Sequence, residues 1–468
     1  QIKGRPELST ENGAPGIGSG QSNADNQLSP VTYFKHTWRH YAWVIVIVAA
    51  VAQMVGSSIR MAFGVFIDPL VEGFGWTPGT VSLAYSASTV VTAVFSPVAG
   101  YLGIRFGARK AMLAGTVLFF IGMMGTSMMT QLWHLYLWYG LALGIAQSLF
   151  LIPVMPAVAM WFRRHLGLGS GLVMISWGLG PAIMVQLMAY LIVSVEWKGT
   201  FQITGIAGTA IMLGLIFLFR NSPDEQGSKP YGWRLGDLPQ VTSGKKFVGK
   251  AKEFQGHIRH TNAFWNLINI HFLGCVGHAV ILVMIVPYGT SQGLSMNTAA
   301  GVLSTMSAVS LITRFGTPIL GDRIGSKGVM FVSYLLQGVT VLLLLNADTV
   351  LAFYVFAFAF GIGYGGEGSV FSVINRQYFG QAPQNVTFAW QLAGAGLGMA
   401  LGAAMAGVTY DLTGSYTTAI VLSAIFSLLG AASILVLETT KRILIPDWDR
   451  AMNDVSTESD GSAVVAGD

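Results

Sequence analysis

Charged side chains are scarce in this sequence. Asp, Glu, Lys and Arg make up only 10% of the 468 residues, against about 25% in an ordinary soluble domain. A soluble fold of this length needs a polar shell, and this composition cannot supply one. Cysteine is almost absent too, because Cys275 stands alone. An internal disulfide is therefore excluded, and a cysteine-rich metal site is not expected.

Signals for nucleotide-driven chemistry and for secretion are also missing. The sequence has no glycine-rich loop ending in Lys-Ser or Lys-Thr, so ATP drive is not expected. No constellation of catalytic residues stands out, and we predict that the chain is not an enzyme and needs no cofactor. Residues 1–37 are polar and lack the apolar core of a signal peptide, which predicts a disordered tail.

Apolar residues, in contrast, are abundant at 53% and fall in long runs. The runs 111–129 and 331–345 contain no charged residue. A helix needs about 20 apolar residues to cross a hydrocarbon layer about 30 Å thick. Many of the 58 glycines lie inside such runs, which suits membrane helices that pack backbone to backbone. We therefore predict a polytopic, all-α membrane protein.

The apolar runs predict twelve transmembrane helices in two groups of six. A polar, basic stretch separates the groups, and polar tails flank them. This arrangement gives tails at 1–37 and 438–468, six-helix bundles at 38–220 and 263–437, and a loop between the bundles at 221–262. The predicted spans are 41–67, 78–102, 108–129, 132–160, 166–193, 200–219, 264–288, 298–320, 327–345, 350–374, 386–408 and 417–436.

The distribution of Lys and Arg predicts the orientation in the membrane. With the N-terminus in the cytoplasm, 23 of these 26 residues lie on the cytoplasmic side. Lys198 falls outside, and Arg60 and Arg314 fall within spans. This bias follows the positive-inside rule, and it accounts for the pI of about 9.2 without a nucleic-acid partner. We expect a multi-pass, monomeric protein of the plasma (cell inner) membrane, surrounded by lipid, with both termini cytoplasmic.

The two halves are related by a constant offset of 218 residues. Pro69 maps onto Pro287, and Gly107 maps onto Gly325. A single match would mean little, but the same offset holds in three separate regions. Parallel six-helix repeats joined by a loop are a known transporter architecture. The other pairs at this offset are Gly75 with Gly293, Gly103 with Gly321, Arg105 with Arg323 and Gly180 with Gly398.

Two short loops carry the first family resemblance. Residues 100–110 read Gly-Tyr-Leu-Gly-Ile-Arg-Phe-Gly-Ala-Arg-Lys and resemble the loop motif between helices 2 and 3 of the major facilitator superfamily, which usually has Asp at the place of Ile104. The counterpart at 318–327 keeps Asp322 but begins with Pro318. The resemblance implies loops that gate the transport path, although a plain basic cytoplasmic turn would look similar. The predicted gating residues are Gly100, Arg105, Gly107, Arg109, Asp322, Arg323 and Gly325.

Further segments narrow the resemblance to one branch. The sequence is similar to the monocarboxylate porters and their bacterial relatives, which include oxalate:formate exchangers. This likeness implies a secondary transporter that moves a small organic anion by alternating access, with a proton or in exchange. Ser310 and Gln391 depart from the branch, since relatives have an acid and a lysine near these places, and Gln391 makes a dicarboxylate less favoured. The segments that carry the likeness are 60–66, 74–76, 161–164, 196–198 and 412–416.

Three ionisable residues lie well inside the predicted spans: Arg60, Arg314 and Glu367. Such a group costs at least about 2.5–3.5 kcal/mol on insertion scales, so it usually faces a water-filled cavity or a partner. The branch often has cations at the first two places, and we predict that both arginines bind the substrate. Glu367 lies at the depth of Arg314, which predicts an ion pair and a role in proton coupling. Alternatively, Arg60 could snorkel outward or pair with Asp68, and Glu367 could be a structural cap.

Other polar residues are predicted to line the same cavity, although each could instead only bond between helices. His278 is of particular interest because it stands 218 residues after Arg60. His271 and Cys275 share its helix face, but the three ligands are spread along two turns, so we predict no metal site. The predicted substrate-binding set beside the two arginines is Gln147, His278, Tyr364, Trp390 and Gln391.

One feature supports a different transport function. Gly167, Ser176, Gly180 and Pro181 have the spacing of the motif that drug antiporters carry, although Met184 and Val185 replace its closing glycines. A proton-coupled exporter of amphipathic compounds is therefore the alternative, and small-residue packing between helices is the plainer explanation. A receptor or scaffold that retains the transporter fold without transport is a third reading.

Overall fold

The computed structural model describes residues 40–162, 166–233, 245–380 and 384–445. The predicted tails lie almost wholly outside these ranges. Regular structure within them is helical, apart from one isolated bridge between Phe162 and Tyr231. The helices are α1 Tyr41–Met61, α2 Gly64–Phe74, α3 Pro78–Phe106, α4 Ala108–Ser127, α5 Leu132–Leu135, α6 Leu143–Leu151, α7 Val154–Met160, α8 Leu166–Leu218, α9 Lys245–Ile258, α10 Asn262–Ser291, α11 Met296–Ile324, α12 Ser326–Val341, α13 Val350–Ser369, α14 Phe371–Phe379, α15 Gln384–Thr413 and α16 Thr417–Leu435.

The outer surface of the bundle is apolar, as a membrane protein requires. Phe217, Ile312 and Leu351 are each at least 70% exposed, which would be unfavourable in water. In the described ranges, nine helices are long and apolar enough to cross a bilayer. The predicted class, an all-helical membrane protein, is confirmed. The nine spans are Pro78–Gly103, Ala108–Ser127, Leu132–Leu151, Gly171–Leu218, Asn262–Ser291, Ser326–Asn346, Val350–Phe379, Trp390–Thr413 and Thr417–Leu435.

Several helices are interrupted where the sequence patterns suggest continuity. Helix α1 ends at Met61, one residue after Arg60, and α13 ends at Ser369, two residues after Glu367. Conversely, α8 continues through two predicted spans and changes direction at Val195 and Glu196, where Glu196 has a φ of 59°. Breaks in membrane helices leave backbone groups free to bond elsewhere and commonly lie beside functional groups.

The internal repeat is visible in the backbone. Thr77 caps the start of α3 and accepts a hydrogen bond from the backbone N–H three residues later. Ser295, 218 residues further on, caps α11 in the same way. Gly107 and Gly325 both have positive φ angles, of 85° and 99°, a region that glycine adopts without strain. Equivalent positions therefore have equivalent local geometry in the two halves.

The basic loops bind helix ends within their own half. Arg109 donates from Nε to the carbonyl oxygen of Ile216, near the end of α8, at 2.9 Å. Its counterpart Lys327 donates from Nζ to the carbonyl oxygen of Leu435, at the end of α16, at 3.0 Å. Both cations thus neutralise the negative end of a helix dipole. This end of the molecule, which holds Arg109, Lys327 and the connection at 219–233, is called the loop end below.

At the opposite end the two halves are joined by carboxylates. Asp411 of α15 accepts from Thr77 Oγ1 at 2.6 Å and from the backbone N–H of Gly79 at 3.1 Å, which caps the start of α3. Asp68 of α2 accepts from Thr290 Oγ1 of α10 at 2.5 Å. Charge-assisted hydrogen bonds of this kind are about twice as strong as neutral ones. They link the two halves at this end.

Replacing Asp411 by Ala is expected to open this end. The native Cys275 is the only thiol and is buried, so its labelling by a membrane-impermeant thiol reagent reports opening. We expect the labelling rate to rise at least about fivefold, since losing hydrogen bonds to a charged group costs about 1.5–3 kcal/mol. Asp348→Ala, which removes an exposed carboxylate, should leave the rate unchanged. A rate equal to that of the parent in Asp411→Ala would show that this contact does not hold the gate.

Candidate functional site

Arg60 is buried inside the molecule near the end of α1, with 7% of its surface exposed. Its guanidinium carbon lies 5.7 Å from the centroid of the Trp177 ring. Its Nε and Nη2 atoms have no hydrogen-bond partner. Arg60 therefore does not snorkel to the surface. It does not pair with Asp68 either, whose carboxylate accepts from Thr290.

Several buried polar atoms near Arg60 that lack partners can donate hydrogen bonds. Gln147 Nε2 and the hydroxyl of Tyr139 are both buried and unpaired, and both residues line a cavity of about 10 Å³ with Arg60. Tyr85 has a buried, unpaired hydroxyl, and Trp177 has an unpaired Nε1. The ring of Phe63 contacts both tyrosine rings, at 5.7 and 4.8 Å, which keeps these groups together. Buried donors without acceptors are rare and require an explanation.

Arg314 of α11 is half-buried and is held by two contacts. Its Nε donates to Ser310 Oγ at 3.3 Å, and its guanidinium carbon lies 4.8 Å from the centroid of the Tyr364 ring. This stacking is a cation–π interaction. The face of the guanidinium is thereby fixed.

The predicted ion pair between Arg314 and Glu367 is wrong. Glu367 Oε2 lies 2.7 Å from His278 Nδ1, and this is its ion pair within the ranges that the structure describes. Counting residues along the helices predicted that Arg314 and Glu367 lie at the same depth. It could not predict the direction in which each side chain leaves its helix. Tyr364 precedes Glu367 by nearly one turn of α13, and its ring takes the guanidinium instead.

The pair of His278 and Glu367 is deeply buried. Glu367 is 2% exposed, and its second oxygen, Oε1, has no hydrogen-bond partner. The His278 ring also contacts Tyr364, with the centroids 5.1 Å apart. A hydrogen bond of 2.7 Å therefore joins the imidazole to the carboxylate.

The geometry of this pair is that of a hydrogen bond. Ligand atoms of Cys275, His278 and Glu367 all lie within 4.8 Å of one another, so side chains converge here more than helix α10 alone suggests. However, the 2.7 Å contact is shorter than the separation of about 3.3 Å between two nitrogen or oxygen ligands of a tetrahedral zinc ion. The absence of a metal therefore stays a prediction.

The residues around Arg60 and the His278–Glu367 pair lie at a similar depth along neighbouring helices. A Cβ atom added to Gly64 would lie 2.9 Å from the carbonyl oxygen of Val283, so α2 and α10 touch closely there. Arg60 precedes Gly64 by four residues and His278 precedes Val283 by five, so each lies about one turn before this contact. The pocket of unpaired donors around Arg60, called the donor pocket below, and the His278–Glu367 pair therefore lie at a similar depth in the two halves.

Two predicted cavity residues have other partners. Gln391 is fully buried and forms a reciprocal pair of 2.8 Å hydrogen bonds with Asn375, which satisfies its amide. Trp390 is 37% exposed and lies at the loop end, 5.3 Å below the guanidinium of Arg259. The structure brings Gln147 to Arg60, and it brings His278 and Tyr364 to Glu367.

The sequence patterns missed Tyr85, Tyr139 and Trp177. An aromatic residue in an apolar span is usually part of the packed core. Whether its hydroxyl or N–H group has a hydrogen-bond partner can be judged only when its neighbours are known.

The predicted gating residues fall at the loop end, as expected from their sequence positions. Gly107 packs on Asn221, Arg105 is exposed and bonds Tyr101 at 3.0 Å, and the remaining members Gly100, Asp322, Arg323 and Gly325 keep their gating role as a prediction.

Comparison with known proteins places the chain in a family. The profile of the Major Facilitator Superfamily matches residues 46–323 and 302–451. Monocarboxylate transporter 13 of Bos taurus is 26% identical over 407 residues, covering 85% of this chain and 89% of that protein. The oxalate:formate antiporter of Oxalobacter formigenes is 27% identical over 376 residues, covering 77% and 84%.

A solved structure supports the fold. A bacterial homolog of the human lysosomal transporter Spinster, in an inward-facing and unoccupied conformation, superimposes with a TM-score of 0.69. It is 13% identical, and the match covers 85% of this chain and 97% of that one. The chain thus belongs to the Major Facilitator Superfamily, as a transporter and not an enzyme, and is distantly related to monocarboxylate transporters and to the oxalate:formate antiporter.

Proposed function

We propose that the protein carries a small organic anion of the monocarboxylate class by alternating access. The observation that supports this most is the buried guanidinium of Arg60, whose unpaired N–H groups lie among further unpaired donors. The names of the relatives, monocarboxylate transporters and an oxalate:formate antiporter, agree with this substrate class.

A carboxylate is the ligand that such a pocket lacks. Leaving a buried donor unpaired costs about 1–3 kcal/mol, and more for a charged group. A carboxylate has two oxygens with room for about four hydrogen bonds, and it can take two parallel bonds from one guanidinium. An ammonium or a neutral apolar solute would leave these donors unsatisfied and would add unfavourable charge or contact. The pocket therefore selects against cations.

We infer twelve spans from the nine long apolar helices together with three further elements. The kink at Val195 and Glu196 divides α8 into two crossings. Helices α1 and α2 together form one crossing, which contains the break at residues 62–63. Helix α11 forms another, although its charged residues lower its mean hydropathy. The halves are then 38–220 and 263–437, joined by the loop at 221–262. We place the loop end and both termini in the cytoplasm, because the Lys and Arg residues concentrate there.

Cysteine labelling tests this orientation. In a Cys275→Ser background, a cysteine at exposed Gln226 should be reached by an impermeant thiol reagent only from the cytoplasmic side. A cysteine at exposed Gln292, at the far end of α10, should be reached only from outside. Labelling of the Gln226→Cys variant in intact cells would reverse the proposed topology.

We propose that the pair of His278 and Glu367 couples transport to protons. A substrate anion that approaches Arg60 and Arg314 brings negative charge next to the pair. Negative charge favours the protonated form of both an imidazole and a carboxylate. The pair therefore takes up a proton as the anion binds, and anion and proton cross together. The net charge of the cavity then changes little between its two states, which avoids moving an unpaired charge through the membrane.

Labelled-solute uptake into proteoliposomes tests the function. We expect saturable uptake of monocarboxylates that increases when the vesicle lumen is more alkaline than the medium. Dicarboxylates and amphipathic cations should be carried at least about tenfold more slowly. Efflux of amphipathic compounds without anion flux would overturn the proposal in favour of the exporter, and the absence of any flux would favour the receptor or scaffold reading.

A further inference from the structure

The second oxygen of Glu367 points toward the cytoplasmic part of α10. While Oε2 bonds His278, Oε1 is buried and unpaired. It lies against Gly274, where an added Cβ atom would overlap it. Gly274 precedes His278 by about one helical turn. Glu367 therefore spans from His278 toward the next turn of α10 on the cytoplasmic side.

His271 occupies that next turn. It precedes Gly274 by three residues, so it lies on the same side of α10. Only 7% of its surface is exposed, and its Nδ1 has no hydrogen-bond partner. Its ring stacks on Phe371 of α14, with the centroids 4.2 Å apart. A buried imidazole with an unpaired nitrogen thus follows a buried carboxylate with an unpaired oxygen.

We propose that His271 is the proton-transfer residue between the His278–Glu367 pair and the cytoplasm. This rests on the coupling role proposed above. When the carrier opens to the cytoplasm, the carboxyl group of Glu367 gives its proton from Oε1 to Nδ1 of neutral His271. The carboxylate keeps its hydrogen bond to His278, and the imidazolium releases a proton to cytoplasmic water. The transfer breaks the O–H bond at Oε1 and forms an N–H bond at Nδ1, and the release breaks an N–H bond and leaves the proton on water.

The spacing explains why Glu367 must take part. His271 and His278 are seven residues apart, about 10.5 Å along the helix, which is too far for direct transfer between the rings. Glu367 comes from α13 and lies between them. The absence of a side chain at Gly274 leaves the room that its carboxylate needs.

The other polar and titratable groups near Glu367 and His271 have different partners or are uncharged. Tyr334 of α12 donates its hydroxyl to the carbonyl oxygen of Ile270 at 3.1 Å. Cys275 of α10 is a buried thiol. Arg314 of α11 stacks on Tyr364, and the amide of Gln391 on α15 is paired with Asn375. His271 is therefore the group suited to accept a proton from Oε1.

His271→Gln tests the proposal, because Gln keeps a polar side chain but cannot carry a proton at this position. In proteoliposomes we expect proton-driven accumulation of a labelled monocarboxylate to slow at least about tenfold. The dependence of its rate on cytoplasmic-side pH should flatten. Exchange of labelled for unlabelled substrate should keep its parental rate, which also shows that the variant folds. His257→Gln, at an exposed histidine of α9, is the matched control and should behave as the parent.

Two outcomes would overturn this role. Accumulation at the parental rate with the parental pH dependence would show that protons bypass His271. Loss of exchange together with accumulation would assign it a packing role. If Glu367→Gln keeps proton-driven accumulation, the coupling proposal is wrong, and the relay that depends on it is wrong as well. If Glu367→Gln abolishes accumulation while His271→Gln does not slow it, only the relay fails.

Discussion

Replacing Arg60 by Gln is expected to reduce monocarboxylate uptake at least about 100-fold in kcat/KM. The substitution removes the only charge in the donor pocket and at least one of the two parallel hydrogen bonds that a guanidinium can give a carboxylate. A 100-fold loss corresponds to about 2.7 kcal/mol, within the range measured when one partner of a buried charge pair is removed. Initial rates of labelled uptake in proteoliposomes give the value.

A matched cation elsewhere controls for general effects of charge. Lys198 is exposed, with its ammonium 5.3 Å from the centroid of the Trp197 ring, and Lys198→Gln should transport as the parent does. Arg314→Lys extends the test, because it keeps the charge but loses the planar guanidinium that stacks on Tyr364. We expect at least about a tenfold loss. Uptake by Arg60→Gln within twofold of the parent would remove this residue from the substrate site.

Glu367→Gln is expected to abolish uphill accumulation driven by a pH gradient while exchange of labelled for unlabelled substrate continues. The amide resembles the protonated carboxyl group in shape and charge but cannot release a proton. Its oxygen can still accept a hydrogen bond from His278. The carrier should therefore move the anion in both directions without gaining from the proton gradient. Accumulation at a steady gradient and exchange at equal pH, measured in the same vesicles, separate the two activities.

Asp348→Asn is the control for this experiment, since it neutralises an exposed carboxylate. It should accumulate substrate as the parent does. Proton-driven accumulation that survives in Glu367→Gln would contradict the coupling role and leave Glu367 as a structural partner of His278. Loss of exchange as well would mean that the carboxylate is needed for folding or for substrate binding.

The sequence predicted the class and the repeat because both depend on properties that single residues report. Scarce charge and long apolar runs require a membrane. The offset between Gly107 and Gly325 reappears as two positive φ angles. The cations Arg109 and Lys327 also stand at this offset, and each binds the end of a helix in its own half.

The sequence did not predict where helices break or which direction a side chain takes from its helix. The predicted first span ends at residue 67, whereas α2 continues to Phe74, so Arg60 lies deeper than its pattern implied and does not snorkel. Residue counts gave the depth of Glu367 but not its direction, and His278 became its partner instead of Arg314. Such pairings depend on how helices from different parts of the chain pack.

The central claim is that the buried donors around Arg60 bind a carboxylate. Isothermal titration calorimetry on the purified protein tests it with two- to six-carbon monocarboxylates and their primary amides, which match in size but carry no charge. We expect at least one carboxylate to bind the parent protein at least about 100-fold more tightly than its amide, and this preference should disappear in Arg60→Gln. Equal affinity for acid and amide, or a preference that persists in Arg60→Gln, would contradict the account.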